Sequence, residues 1–319
     1  MPIRTKSKNF KVVTVLLGIS LLWAFDALRF DAWPEIFRRA PESLYFQRSA
    51  LLWSVLALGA AVPAAARRAW PTKRQALHAA LIGVGIFVVP ALLTHATASL
   101  IADQVRVILF MLTPLFAVVL EPSVGSSNAT PPHGNLLAAL VAVAGGLMLF
   151  SFRLPNSIQE GGAFCLLVVG AAWVAATNCW AVHVTQRHNT DSSLVLAAIG
   201  AGTTALAFAC LSMVFGSQGF VFHCSMPELL WTVIVDLPVL LGFYWLLDHM
   251  SATRMTLRFV LAPLFTALLS IVLFQPAVSL QSIGGLILMA TGTGWILFVT
   301  KVDDTTPASL LPFNGDDGN

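Results

Sequence analysis

Asp26 and Arg29 stand three residues apart in a predominantly apolar run, and Asp103 and Arg106 repeat that spacing. Positions three apart share a helix face, so each couple can pair. Asp236 interrupts another apolar run two residues before Pro238, with no partner in its own turn. Asp248, His249, Arg254 and Arg258 crowd the stretch that follows. An ionisable group inside a bilayer costs about 2.5–3.5 kcal/mol on insertion scales and is kept by pairing, by water or by function. The chemistry open to this set is recognition of a charged solute, closure of a gate, or proton carriage by Asp26, Asp103, Asp236 or His95. For the two Asp–Arg couples the plainer reading is an interfacial ion pair whose heads snorkel to water.

Other chemistries lack their residues. There is no GxxxxGK[ST] loop, so ATP hydrolysis is not expected of this chain. Cys165, Cys179, Cys210 and Cys224 show no CxxC spacing, and neither a disulfide nor a metal site is expected. The seven histidines are dispersed, His183 and His188 being the nearest pair. No cofactor and no nucleic-acid partner are implied, and the chain is expected not to be an enzyme. The alternative to weigh is an integral membrane lipid-modifying enzyme or a non-transporting membrane subunit. The first usually clusters His, Asp or Glu at one membrane face. A sensor subunit is expected to carry a soluble output domain.

The elements that must position these residues follow from composition. Hydrophobic residues make up 57% of the chain and charged ones 10%, where a soluble domain carries roughly 25% charged residues. A bilayer-spanning helix needs about 20 apolar residues. Ten apolar windows can be drawn, at 12–30, 47–66, 76–97, 101–120, 134–152, 161–183, 193–215, 228–247, 254–274 and 281–300. The expectation is an all-α polytopic membrane protein of ten transmembrane helices, with a disordered cytoplasmic tail over 301–319. The first window follows Arg4, Lys6, Lys8 and Lys11 without a clean small-x-small cleavage site, so it reads as a helix rather than a signal peptide. With the N-terminus in the cytoplasm, twelve Lys and Arg residues fall inside and six outside, which places both termini in the cytoplasm.

The two halves echo each other. Trp23 matches Trp173, Pro90 matches Pro238, Pro114-Leu115-Phe116 matches Pro263-Leu264-Phe265, Glu121-Pro122 matches Gln275-Pro276, and Gly145 matches Gly292. Five helices per repeat is an odd number, so the second repeat must enter the membrane from the opposite side. That is the inverted-repeat plan of many secondary transporters. The repeats are expected over 1–152 (helices one to five) and 153–300 (helices six to ten).

LTPLFAVVLEP (112–122) with LLAALVAVAGGLMLF, and LAPLFTALLSIVLFQP (261–276) with SIGGLILMATGTGWILF, carry a family likeness. The chain resembles the drug/metabolite transporter (DMT) superfamily, EamA type, from Leu22-Trp23 to Phe298. The family's stretch usually ends in Gly-Glu after the fourth helix; here Glu121 keeps the acid without the Gly, and Gln275 stands in the second half. The resemblance implies a ten-helix transporter in the cell inner (plasma) membrane. Its substrate is held centrally, among helices one, three, four, six, eight and nine. Efflux of an amino acid, drug or other small polar or amphipathic metabolite is expected. A proton gradient, exchange or facilitated flow could drive it.

On that frame, two hairpins stand out. His95-Ala-Thr-Ala-Ser leads to Arg106 and Pro114, and His249-Met-Ser-Ala-Thr leads to Arg254, Arg258 and Pro263. They are the candidate gates, with Arg106 matched to Arg254 or Arg258. Pro90, Pro114, Pro238 and Pro263 each remove a backbone donor and are expected to kink their helices around a cavity. Trp23, Trp173, Tyr244, Trp180 and Trp245 are candidate cavity aromatics, and Asn178 a polar partner in the sixth helix. Gly83, Gly85, Gly145, Gly146, Gly284, Gly285, Gly292 and Gly294 read as close-packing positions, within the monomer or between the monomers of a homodimer.

Overall fold

The computed structural model describes residues 3–32, 45–66, 71–124, 133–150, 152–187, 193–215 and 226–299. The tail 301–319, the basic stretch 67–70, Cys224, His188 and the side chain of Arg29 lie outside them. All regular structure among the described residues is helical. We number the segments α1 (Ile3–Ala32), α2 (Tyr45–Ala66), α3 (Lys73–Ala96), α4 (Asp103–Val124), α5 (His133–Leu149), α6 (Ile158–Arg187), α7 (Ser193–Phe215), α8 (226–249), α9 (Ala252–Phe274) and α10 (Leu280–Val299). Nine of these are long and apolar enough to cross a membrane; the apolar part of α5, Gly134–Leu149, is shorter. Every sequence window holds a helix, since only a helix satisfies its own backbone donors and acceptors in lipid.

Polar residues fit this setting by bonding along their own helix. Ser20, Thr97, Thr177, Thr185 and Thr204 each donate to the carbonyl four residues back, which hides the hydroxyl from lipid. Helix starts are capped from the sequence. Thr72 and Gln75 form a reciprocal capping box at α3. Ser251 caps α9 and Ser279 caps α10. The α6 helix begins earlier than its apolar window because Ser157 accepts from the Glu160 N–H, while the Glu160 carboxylate accepts from the Asn156 N–H.

Two of the four prolines sit behind a widened turn. In α3 the stretch Val84–Val88 is a π turn, in which the Val89 N–H reaches back to the Val84 carbonyl. In α8 the stretch Thr232–Asp236 does the same, with the Leu237 N–H on the Thr232 carbonyl. Pro90 and Pro238 follow directly. A proline ring collides with the carbonyl four residues before it in an α-helix, and the wider turn relieves that collision. Pro114 follows a turn at 111–112 that interrupts α4, while Pro263 lies within the unbroken run Arg258–Phe274 of α9.

The helices pack in couples. The most extensive contacts join α2 to α7 and α5 to α10. The α1 helix lies on α9 and on α8, the second half of α4 lies on α6, α3 lies on α7 and α6, and α8 touches α2. Glycines permit the closest approaches. A Cβ on Gly145 would stand 2.6 Å from the Gly285 carbonyl, and one on Gly285 would stand 2.7 Å from the Gly145 carbonyl. Gly83 meets the Gly200 backbone across α3 and α7, and Gly292 meets Ala138 across α10 and α5. Gly85 and Gly146 are also closely covered, Gly284 loosely, and Gly294 has no neighbour within 4 Å. Small residues at such crossings supply the van der Waals contact that holds helices together in lipid.

Candidate functional site

A cavity of about 210 Å³ opens between α1, α2, α3 and α8. Its walls are Trp23, Trp53, Phe87 and Phe243 with Leu52, Leu56, Val239 and Leu240; Ser49 and Asp236 add polar groups. The π turns of α3 and α8 contribute Phe87 and Asp236, so the widened stretches face this space.

Behind two of those walls sits Arg258. It is 1% exposed. Its guanidinium carbon lies 5.5 Å from the centre of the Trp23 ring, 4.7 Å from that of Phe243 and 4.8 Å from that of Phe259. Rings at that range attract a cation by about 0.5–2 kcal/mol each, more when water is excluded. Nη2 donates to the Asn178 Oδ1 at 3.0 Å, and Nη1 to the Met255 carbonyl at 3.2 Å. Asn178 is itself fully buried and donates to the Val174 carbonyl at 2.7 Å. That leaves its amide oxygen aimed at the arginine. Nε of Arg258 has no acceptor. The structure thus gathers Trp23, Asn178 and Arg258, from α1, α6 and α9, at one point beside the cavity.

The two hairpins differ in construction. In the first, the Arg106 Nη1 donates to the Thr94 carbonyl at 2.9 Å and its Nη2 pairs with Asp103, which ties the turn 97–102 to itself. Asp103 is exposed. His95 stacks on Tyr45 at 5.8 Å and meets Phe46 edge-on at 4.7 Å. In the second, His249 stacks on Trp245 at 4.2 Å. Gln186 donates to the Met250 carbonyl at 3.2 Å, and Arg254 is buried, 6% exposed. Glu121, from the end of α4, accepts from the backbone N–H groups of Ala252 at 2.8 Å and Thr253 at 3.1 Å, and from the Thr253 hydroxyl. A carboxylate at a helix start takes otherwise orphaned donors and meets the positive end of the helix dipole. Gln275, which the sequence aligns with Glu121, is exposed at the end of α9 in the left-handed backbone region, φ 46°.

The remaining residues singled out by sequence are dispersed. Asp26 accepts from the Trp231 Nε1 at 3.1 Å. Asp236 lies on the cavity wall. Trp173 is 52% exposed and turned outward, unlike its match Trp23. Tyr244 is fully buried, edge-on to Phe243 at 5.3 Å, with its hydroxyl unpartnered against Gly200. The sequence reading did not single out Phe243, Phe259, Trp53 or Phe87, which look like any other apolar residue, nor the cap formed by Glu121. A charged residue ending one span and a Ser-Ala-Thr helix start opening another are the only signals that could have suggested that cap.

No family model matches the sequence, and no curated protein matches it. Solved structures do. One, described only as the crystal structure of a protein, superposes with a TM-score of 0.71 at 17% identity, over 91% of this chain and 99% of that one. The fold is therefore a known one. That likeness extends over most of the chain and is one of overall helix arrangement.

Proposed function

We propose that this chain is a secondary transporter, an EamA-like member of the drug/metabolite transporter superfamily. In this reading it exports a small polar or amphipathic metabolite across the inner membrane by alternating access. Ten transmembrane helices form two inverted five-helix repeats, 1–152 and 153–300, with both termini in the cytoplasm.

The observation that carries the reading is the exchange of packing partners between the halves. The contact of α1 with α9 has its counterpart in that of α6 with α4. Likewise α3 meets α7 as α8 meets α2, and α1 meets α8 as α6 meets α3. The couples α2–α7 and α5–α10 are their own counterparts. The paired π turns before Pro90 and Pro238 agree with it. Two like units placed upside down can swap which end is open. The Glu121 cap closes α4 on α9, and Gln275 makes no such closure, which supports a conformation shut at the Glu121 end.

The test is counterflow in proteoliposomes. Overexpressing cells are first screened for altered tolerance to amino acids, antimetabolites and drugs. Each compound that changes growth is then loaded inside vesicles holding purified protein. Saturable exchange of labelled solute is expected. Absence of protein-dependent flux for every such compound would overturn the reading in favour of a non-transporting subunit.

A further inference from the structure

The geometry points to an anion-headed substrate: a small organic carboxylate with an apolar body, its carboxylate received by Arg258 and its body by the aromatic cavity beside it. This rests on the transport reading and names the class of solute.

Three observations carry it. Arg258 is a fully buried cation whose five N–H donors make two hydrogen bonds among the described residues, both to neutral acceptors, the Asn178 amide oxygen and the Met255 carbonyl. Among the described residues no carboxylate pairs with it, and its Nε–H has no acceptor. A buried charge without a counter-charge is costly, and proteins normally pair it. Second, Trp23 and Phe243 each present a ring to Arg258 and line the cavity as well. A shift of either ring joins the guanidinium to the open space. Third, the cavity walls are otherwise apolar except for Ser49 and Asp236, and Asp236 already has an interaction of its own. Asp236 is also seven residues from Phe243, roughly 10 Å along a helix, so it does not face the same end of a bound solute. A planar guanidinium with free donors suits a carboxylate, which it can meet with two parallel hydrogen bonds.

The experiment compares three probes of one shape on the purified full chain in nanodiscs: 3-phenylpropanoate, 3-phenylpropanamide and 3-phenylpropylamine. Binding is read from the change in tryptophan fluorescence, to which Trp23 and Trp53 on the cavity wall contribute, and from the thermal shift. The carboxylate is expected to bind at least about tenfold more tightly than the amide or the amine, since hydrogen bonds to charged groups are the stronger ones. In Arg258→Gln the preference should fall to within about twofold, and Arg258→Lys should keep part of it. Equal binding of the three probes, no binding of the carboxylate, or a preference that survives in Arg258→Gln would each overturn the inference. The wild-type series decides the matter even if Arg258→Gln does not fold. Protein-dependent counterflow of a neutral or cationic solute, alongside failure of the carboxylate to bind, would overturn this inference and leave the transport reading standing.

Discussion

Glu121 closes the end of α4 onto the first turn of α9 by accepting the Ala252 N–H at 2.8 Å, across 131 residues of sequence. The same carboxylate takes the Thr253 N–H and hydroxyl. Three donors thus depend on one side chain that is partly buried. Leaving a buried donor unsatisfied costs about 1–3 kcal/mol. In Glu121→Ala, amide hydrogen exchange over 250–258 should accelerate about 10- to 100-fold, and in Glu121→Gln by less. Unchanged exchange in the alanine variant would show that the cap holds nothing.

Trp23 and Trp173 are matched in the proposed repeat, yet of the two only Trp23 reaches Arg258 and the cavity. Trp23→Leu removes a cation–π contact worth about 0.5–2 kcal/mol and, under the transport proposal, should reduce flux in proteoliposomes roughly 2- to 30-fold. Trp173→Leu alters a half-exposed side chain and should stay within about twofold, since surface changes usually fall within about 0.5 kcal/mol. Equal losses in the two variants at equal expression would contradict the placement.

The crossing of α5 and α10 has no room for a side chain at Gly145, where a Cβ would press on the Gly285 carbonyl and on the Met289 backbone nitrogen, each at 2.6 Å. Backbone atoms cannot swing aside, so Gly145→Ala must separate the helices. A destabilisation of about 1–3 kcal/mol is expected, seen as a lower Tm in detergent. Gly294→Ala, where nothing lies within 4 Å, should leave the Tm unchanged and serves as the control.

Tyr244 buries a hydroxyl without a partner. Tyr244→Phe should therefore be neutral or stabilising, by up to about 1 kcal/mol, because an unmet buried polar group is lost with it. Gly200→Ala should destabilise, since its Cβ would fall on the Tyr244 hydroxyl. The double variant should recover part of that loss, as contacting residues couple. Strict additivity of the two changes would refute the contact.

Helix positions were legible in the sequence and helix facing was not. Apolar windows mark spans because lipid demands them, and Thr72, Ser251 and Ser279 mark starts because they can cap. Which side of a span turns inward leaves little trace, since the packed interior and the lipid are both apolar. Trp173 shows this: its residue type and its match with Trp23 suggest an interior place, and its 52% exposure puts it outside. The fifth window looked like the others, yet its apolar helix, Gly134–Leu149, is shorter than the other nine. In the site, Arg258 and Asn178 could be named singly as polar groups in apolar runs. Their meeting could not, because 80 residues separate them. Phe243 and Phe259 had no signature at all, and Glu121 bonds mainly to backbone, which every residue possesses.

The π turns of α3 and α8 have a mechanical consequence. Each marks an irregular turn, of the kind at which helices bend, with a regular α-helical arm beyond it: eight residues over Val89–Ala96 and thirteen over Leu237–His249. At 1.5 Å per residue these arms are about 12 Å and about 20 Å long. A swing of about 10° at the joint therefore carries the tip of the first by about 2 Å and the tip of the second by about 3.5 Å. The longer lever bears Phe243 midway and His249 at its end, so an equal rotation at the two joints displaces the tip of α8 farther than that of α3. Leverage, and not only sequence, makes α3 and α8 unequal.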